Sequence, residues 1–225
     1  MGYQLPGVET EGLPLHLIKA LNDDGNIPFF VETGTAGGDS VRAASKIFSK
    51  CYTIEIIPGR YIDEQTENVV AYTGDSVSIL PEIISKFNGE YVLFFLDGHY
   101  SDSVAKIDTG IKECPVLDEI KVIGKYENSV IIIDDARLFL GFAPFPLDAR
   151  EWPGVYEIFI ELRRAFSWHY ITVTDDYILC VPDRFKAAIQ AEWRDRFHIR
   201  YPSHEDKLKT EVKNVYTALK NYIDV

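Results

Sequence analysis

The chain has 225 residues, 46% of them hydrophobic and 26% charged, with a formal net charge of -12. That length buries a sizeable core in one α/β domain, and the acidic balance weighs against a nucleic-acid partner, because proteins that grip phosphate backbones present basic faces. Cys51, Cys114 and Cys180, odd in number and widely spaced, spell neither a disulfide framework nor a zinc cluster.

No apolar run approaches the ~18 residues of a membrane span, and the N-terminus lacks a charged-then-apolar signal. The expectation is a soluble, cytoplasmic protein with no membrane partner. Cys51 and Cys180 fall in predicted strands, where a thiol serves as a small buried hydrophobe.

Met1–Gly12 reads as an irregular lead-in, and Leu13–Leu21 as a helix with Leu13, Leu17, Ile18 and Leu21 on one face. Phe29–Val31 is a short buried strand. It runs into Glu32-Thr33-Gly34-Thr35-Ala36-Gly37-Gly38, a turn whose glycines let a ligand approach the backbone closely. A helix over about Asp39–Lys50 follows and points its free N–H groups at that turn. Cys51–Ile56 is the second strand, with Glu55 at its tip, where a carboxylate can hold a ribose diol.

Pro58 to about Asn68 is predicted helical, Val69–Tyr72 is a short strand closing on Gly74-Asp75-Ser76, and Val77–Phe87 is a helix. The almost wholly apolar Tyr91–Leu96 reads as a central strand delivering Asp97-Gly98-His99-Tyr100 at its carboxyl end. Ser101–Glu113 is polar and predicted to be a loop; Pro115–Tyr126 returns to helix. Val130–Ile133 is a further buried strand ending at Asp134-Asp135-Ala136-Arg137.

Leu138–Pro153, with Gly141, Pro144, Pro146 and Trp152, resembles a lid. Trp152, Phe142, Phe145 and Tyr156 there either wall an acceptor or pack as ordinary core. Val155–Phe166 is helical by its spacing. Trp168–Val173 and Tyr177–Val181 flank Asp175-Asp176 as a hairpin, and Phe185–Phe197 and Glu205–Tyr222 are amphipathic helices. The predicted organisation is a core over 1–182 with a helical extension over 183–225 on the same domain. These last helices cover the sheet or form a homodimer contact.

Alternating strands and helices give an α/β class with a doubly wound, Rossmann-like parallel sheet and helices on both faces. Ligands of such sheets bind at the carboxyl ends of the strands, where the strand order reverses. Glu32–Gly38, Glu55, Asp75-Ser76, Asp97–His99 and Asp134-Asp135 all fall at such ends. A nucleoside cofactor is implied. The dinucleotide spacing Gly-x-Gly-x-x-Gly is broken here, and no Gly-x-x-x-x-Gly-Lys-Ser/Thr is present.

From Leu13 to Val181 the chain resembles the class I S-adenosylmethionine-dependent methyltransferases. The likeness is carried by Val31–Gly38, Glu55, Gly74-Asp75-Ser76, Leu96–His99 and the closing hairpin. It implies a seven-stranded sheet ending in that antiparallel hairpin. It also implies that Glu32, Gly34 and Gly37, with Thr35 in the same turn, hold the methionine part of S-adenosyl-L-methionine. Glu55 would take the ribose hydroxyls, and Asp75 and Ser76, with Asp97 at the neighbouring strand end, would line the rest of the cofactor site. Within the family, magnesium-dependent O-methylating enzymes of the catechol and macrolide-sugar kinds place acids where Asp97, Asp134 and Asp135 stand. The resemblance therefore implies a Mg²⁺ site of those three carboxylates, hard oxygen donors suited to the ion.

Methyl transfer needs alignment and a deprotonated acceptor. His99 is the candidate base, since an unperturbed imidazole titrates near neutrality, with Asp97 beside it. The chain departs from the catechol type, which carries a lysine just past this acid; here Tyr100 follows His99, and the next lysine is Lys106. Arg137 is expected to pair with a neighbouring acid. The expected activity is O-methylation of a small molecule such as a sugar, polyketide or phenol. The rivals are an NAD(P)-dependent oxidoreductase and a cofactor-binding protein without turnover.

Overall fold

The computed structural model describes residues 12–23, 26–59, 66–99, 112–143, 147–200 and 207–214. Helix α1 (Leu15–Leu21) precedes strand β1 (Phe29–Thr33), and helix α2 (Asp39–Ala44) leads to β2 (Lys50–Glu55). Strand β3 (Val69–Thr73), helix α3 (Ser76–Ile84) and strand β4 (Val92–Leu96) follow. Helix α4 (Val116–Ile123), strand β5 (Ser129–Ile133), the short α5 (Ala136–Phe139) and α6 (Val155–Ala165) come next. Strands β6 (Tyr170–Thr174) and β7 (Tyr177–Val181), a 3-10 turn at Asp183–Phe185 and α7 (Lys186–Arg200) complete the order, and 207–214 is helical.

The seven strands form one sheet in the order β3-β2-β1-β4-β5-β7-β6. Every pairing is parallel except those of β7, which runs antiparallel to both β5 and β6. The hairpin is thus the last step of the sheet, as the sequence predicts. Strand order reverses between β1 and β4, so the carboxyl ends of these two strands flank the crevice where such sheets take ligands.

Alternation along each strand splits the core into two layers. Phe94 and Leu96 of β4 join Leu80 and Ile83 of α3, Ile120 and Ile123 of α4, and Ile158 and Leu162 of α6. Leu93 and Phe95 face the other way, with Leu17 and Leu21 of α1, Val41 and Ala44 of α2, and Ile189 of α7. Buried on both sides, β4, β5 and β7 carry near-continuous Leu, Ile, Val and Phe. The three cysteines are free and buried. Among the described residues, no helix is long and apolar enough to cross a membrane.

The helix expected over Asp39–Lys50 stops at Ala44, because the chain must turn into β2. Asn68 Nδ2 donates to the carbonyls of both Ser45 and Phe48 at 2.9 Å, and the Ser49 and Lys50 amides both donate to Pro28 O. The expected helix over Pro58–Asn68, the loop over Ser101–Glu113 and the final helix over Glu205–Tyr222 lie largely outside the described residues. Helices α1 and α7 are tied to the hairpin turn by a polar cluster: Arg196 of α7 pairs with Asp175 in that turn at 2.6 Å and with Glu192, and His16 of α1 lies 3.6 Å from Asp175.

Leu179, fully buried in β7, has close-packed neighbours that relax only in part when its side chain is removed. Leu179→Ala is expected to cost about 2–5 kcal/mol, read as a lower urea midpoint with an unchanged m-value.

Candidate active site

At the end of β1 the chain turns across the mouth of the sheet. The Gly34 amide donates to Ile54 O at 2.9 Å, and Gly34 adopts φ +82. A Cβ at this position would lie 2.0 Å from the Asp97 carbonyl oxygen, so only glycine lets the β1 turn pass the β4 end. Gly38, at φ 77, then starts α2 with its N–H on Thr35 O at 2.7 Å. The surface beside Gly37 is open: a Cβ there would find only Asp39 Oδ2, at 4.0 Å. The turn is a backbone cradle with free space on its outer side.

Glu55 pins this cradle from β2. Its Oε2 accepts the Ala36 amide at 2.8 Å and its Oε1 the Ile57 amide at 2.9 Å, so one carboxylate fixes the glycine turn and the chain beyond its own strand. Beneath it runs a buried chain of hydroxyls. Thr53 Oγ1 donates to Glu32 Oε2 at 2.7 Å and lies 2.6 Å from Thr35 Oγ1. Thr35 and Glu32 are therefore engaged below the turn. Burial, only partly offset by the Thr53 hydrogen bond, pushes the Glu32 carboxyl up to about 8.

On the opposite face of the sheet lies a residue outside the expected set, Glu119 of α4. It is 1% exposed, and its Oε1 accepts the Ser76 hydroxyl at 2.6 Å. A Cβ at Gly98 would come within 3.1 Å of both Glu119 Oε1 and Thr33 Oγ1, so Glu119 underlies the ends of β1, β3 and β4 together. Burial raises its carboxyl to about 7 against the help of Ser76 and Thr33. A sequence signal existed: Glu119 sits on the apolar face defined by Val116, Ile120 and Ile123. Asp75, in contrast, caps α3, its Oδ2 accepting the Ser78 amide at 3.0 Å.

The third group of acids gathers at β4 and β5. Asp97 is pushed up to about 9 by burial, then by Asp134, Asp135, Glu32 and Glu119. Asp134 is raised to about 7 by burial and by Asp135, and its Oδ1 accepts the Asp135 amide at 2.8 Å. Asp135 behaves differently. Burial opposes its ionisation, but His99 and Arg137 outweigh it and hold the carboxyl below its usual range.

Asp135 Oδ2 lies 2.9 Å from His99 Nε2 and its Oδ1 2.7 Å from Arg137, which also pairs with Asp176 of the hairpin turn. His99 Nε2 is 3.8 Å from Asp97 Oδ1. Ligand atoms of Asp97, His99 and Asp135 all lie within 4.8 Å of one another. The expected trio of Asp97, Asp134 and Asp135 is thus replaced, as the set that converges, by one with His99 in the place of Asp134.

Trp152 closes the His99 side. Its ring meets His99 edge-on at 5.3 Å and Phe139 at 5.7 Å, and its Nε1 donates to the buried Glu113 at 3.1 Å. Glu113 also accepts the Asp148 amide at 2.7 Å, clamping the segment expected to form a lid. Phe142 and Tyr156 point to solvent, 95% and 74% exposed, while Phe145 lies outside the described residues. Of the other histidines, His169 is buried against Ser129 O at 3.1 Å, and His16 belongs to the α1–hairpin cluster.

No protein-family model matches the sequence, and no curated protein does. Solved structures are similar in fold. Human methyltransferase-like protein 13, in complex with S-adenosylhomocysteine, is 12% identical, with 80% of this chain and 90% of that one covered at a TM-score of 0.50. A Klebsiella pneumoniae protein assigned as an O-methyltransferase is 16% identical over 78% of this chain and 84% of its own, also at 0.50. A Bacillus cereus O-methyltransferase structure with S-adenosylhomocysteine is 19% identical, covering 80% and 84% at 0.46. At these identities the likeness is one of architecture. The chain has the class I S-adenosylmethionine-dependent methyltransferase fold.

Glu119 carries a testable consequence. Its folded-state pKa of about 7 exceeds the ordinary 4.5. The folded protein therefore holds a proton that the unfolded chain releases, and stability falls as pH rises between those values. Glu119→Gln is expected to remove roughly 3 kcal/mol of that fall, seen as a shallower pH dependence of the urea midpoint. Equal slopes for the two proteins would show that Glu119 ionises without penalty.

Proposed function

We propose that the protein transfers a methyl group from S-adenosyl-L-methionine to a hydroxyl of a small molecule. The observation that carries this reading is the Gly34–Gly38 cradle, pinned by Glu55 at the reversal point of the sheet and facing Asp97, His99 and Asp135 across it. The residues fit the cofactor by their own chemistry. The open backbone at Gly37 leaves room for the methionine part, the Glu55 carboxylate can accept from ribose hydroxyls on its remaining lone pairs, and Asp75 and Ser76, at the β3 end, are the residues this reading assigns to the base.

S-adenosyl-L-methionine, held by the Gly34–Gly38 turn and Glu55, would supply an electrophilic methyl carbon for transfer to the acceptor oxygen. The protein's tasks are alignment, exclusion of water and reception of the hydroxyl proton. Trp152 and Phe139 shield His99 from solvent. Asp135 fixes the imidazole and stabilises it once protonated, with Arg137 and Asp176 holding Asp135 in turn. In this reading His99, with Nε2–H donating to Asp135, takes the hydroxyl proton on Nδ1 when no cation is bound. A divalent cation, for which Asp97, His99 and Asp135 offer two oxygens and a nitrogen, would acidify a bound hydroxyl instead.

A small-molecule acceptor agrees with the net charge of -12, which disfavours a polyanion. Three free thiols suit a reducing compartment such as the cytoplasm. The broken glycine spacing continues to weigh against a nicotinamide dinucleotide.

Calorimetry with S-adenosylhomocysteine is expected to show one site per chain, with NAD and NADP giving no heat. Glu55→Ala should weaken that binding about 10- to 100-fold, since hydrogen bonds to a charged group are worth about 1.5–3 kcal/mol. Absence of S-adenosylhomocysteine binding overturns the reading. Binding without transfer to any hydroxyl in a broad acceptor panel would leave a cofactor-binding protein without turnover.

A further inference from the structure

We propose that Asp97, His99 and Asp135 form a divalent-cation site whose imidazole donor makes it select a first-row transition ion, in the iron-to-zinc range, over magnesium. The inference rests on the reading of these residues as the acceptor side of a methyl-transfer site, and it departs from the three-carboxylate magnesium set that the sequence suggests.

The geometry separates Asp134 from the others. Its Oδ1 is turned back onto the Asp135 amide, and Asp134 is only 3% exposed. Asp135, at a left-handed φ of 54, swings its carboxylate off the strand direction toward His99. Arg137 holds Oδ1 of that carboxylate, so Oδ2 is the oxygen presented to the imidazole. Asp97, whose side chain is 32% exposed, has no hydrogen-bond donor among the described residues. Two carboxylates therefore converge on one nitrogen, and one of them has no donor among the described residues.

Spacing agrees with a bound ion. Three ligands at ~2.0–2.2 Å from a tetrahedral centre stand ~3.3–3.6 Å apart. The separations from Nε2 are 2.9 Å to Asp135 and 3.8 Å to Asp97, which bracket that edge. A cation would take the place now held by the hydrogen bond between Nε2 and Oδ2. Three protein ligands leave a position open for an acceptor oxygen, as catalytic sites require.

The donor types set the preference. Magnesium takes oxygen ligands in octahedral geometry and keeps much of its water, whereas imidazole suits iron, nickel, copper and zinc. His99 is also preorganised. Its side chain is 4% exposed and is held edge-on by Phe139 at 5.9 Å and Trp152 at 5.3 Å. Arg137 supplies the outer hydrogen bond that orients a ligating carboxylate.

The test uses the full chain stripped with a chelator and titrated with Co²⁺, followed by visible absorption. One Co²⁺ per chain, not displaced by millimolar Mg²⁺, is expected. His99→Gln should weaken Co²⁺ binding at least about tenfold, the lower end of what even an outer partner of a ligand is worth. Asp134→Asn should leave it within about twofold. In the unmutated Co²⁺ protein, a paramagnetically shifted, exchangeable imidazole N–H resonance should appear, a reading that needs no variant to fold.

Displacement by Mg²⁺, equal Co²⁺ affinity in His99→Gln, a loss in Asp134→Asn as large as that in His99→Gln, or absence of the shifted resonance each overturns the proposal. S-adenosylhomocysteine calorimetry on the chelated protein separates the two readings. Binding there without a Co²⁺ site leaves methyl transfer standing and removes the cation, whereas no binding removes the methyl-transfer reading itself.

Discussion

The main-chain approach of Gly34 to Asp97 is the constraint on which the site depends. The β1 turn and the β4 end meet with no room for a side chain between them, a Cβ at Gly34 falling 2.0 Å from the Asp97 carbonyl. Backbone ladders continue past the strands on either side: Asp97 N–H bonds Thr33 O, Gly74 N–H bonds Glu55 O and Asp134 N–H bonds Leu96 O. The strand ends are thus locked in register before any ligand arrives. Whatever binds is gripped by groups whose positions the sheet has already fixed, which lowers the ordering cost of binding.

Acids dominate this edge, and the structure gives them unlike environments. Glu32 and Glu119 are buried beneath the turns on opposite faces of the sheet, each satisfied by hydroxyls and each raised in pKa by desolvation. They lie beneath the strand ends that border the crevice, engaged with hydroxyls. Asp97 and Asp134 are raised as well, each by burial first, then Asp97 by Asp134 and Asp135 and Asp134 by Asp135. Asp135 alone is stabilised as an anion, through His99 and the Arg137–Asp176 pair. Environments that drive neighbouring carboxyls apart in pKa are how one cluster acquires distinct roles.

The surroundings of His99 are assembled from five separate stretches of chain. His99 comes from the β4 end, Asp135 from β5, Trp152 from the segment before α6, and Glu113 from just before α4, where it anchors Trp152 through its indole N–H. The hairpin contributes Asp176, which accepts the Arg137 amide at 2.8 Å and also pairs with its guanidinium. The closing antiparallel strands therefore do more than complete the sheet. They brace the only acid in the cluster held in its charged form.

Much of this was legible in the sequence, for local reasons. Apolar runs bounded by glycine and acid marked β1, β4 and β5, and alternation around Asp175-Asp176 marked the hairpin. Polar residues at strand ends named Gly34, Glu55, Asp97, His99 and Asp135 as site candidates, because a parallel sheet places all its carboxyl ends on one edge. What the sequence could not yield were relations between distant residues. The family resemblance assigns Thr35 and Glu32 to the cofactor, and what the structure adds is that their side chains share Thr53 below the turn. Asp134 and Asp135 are neighbours in the chain, yet the left-handed backbone at Asp135 sends their carboxylates to different partners. The role of Glu119 is not legible in the sequence, because a single acid on an apolar helix face gains meaning only when Ser76 and Gly98 are brought to it. Strand, turn and edge follow from short-range pattern; the choice among adjacent carboxylates follows from packing, and only the tertiary structure makes it.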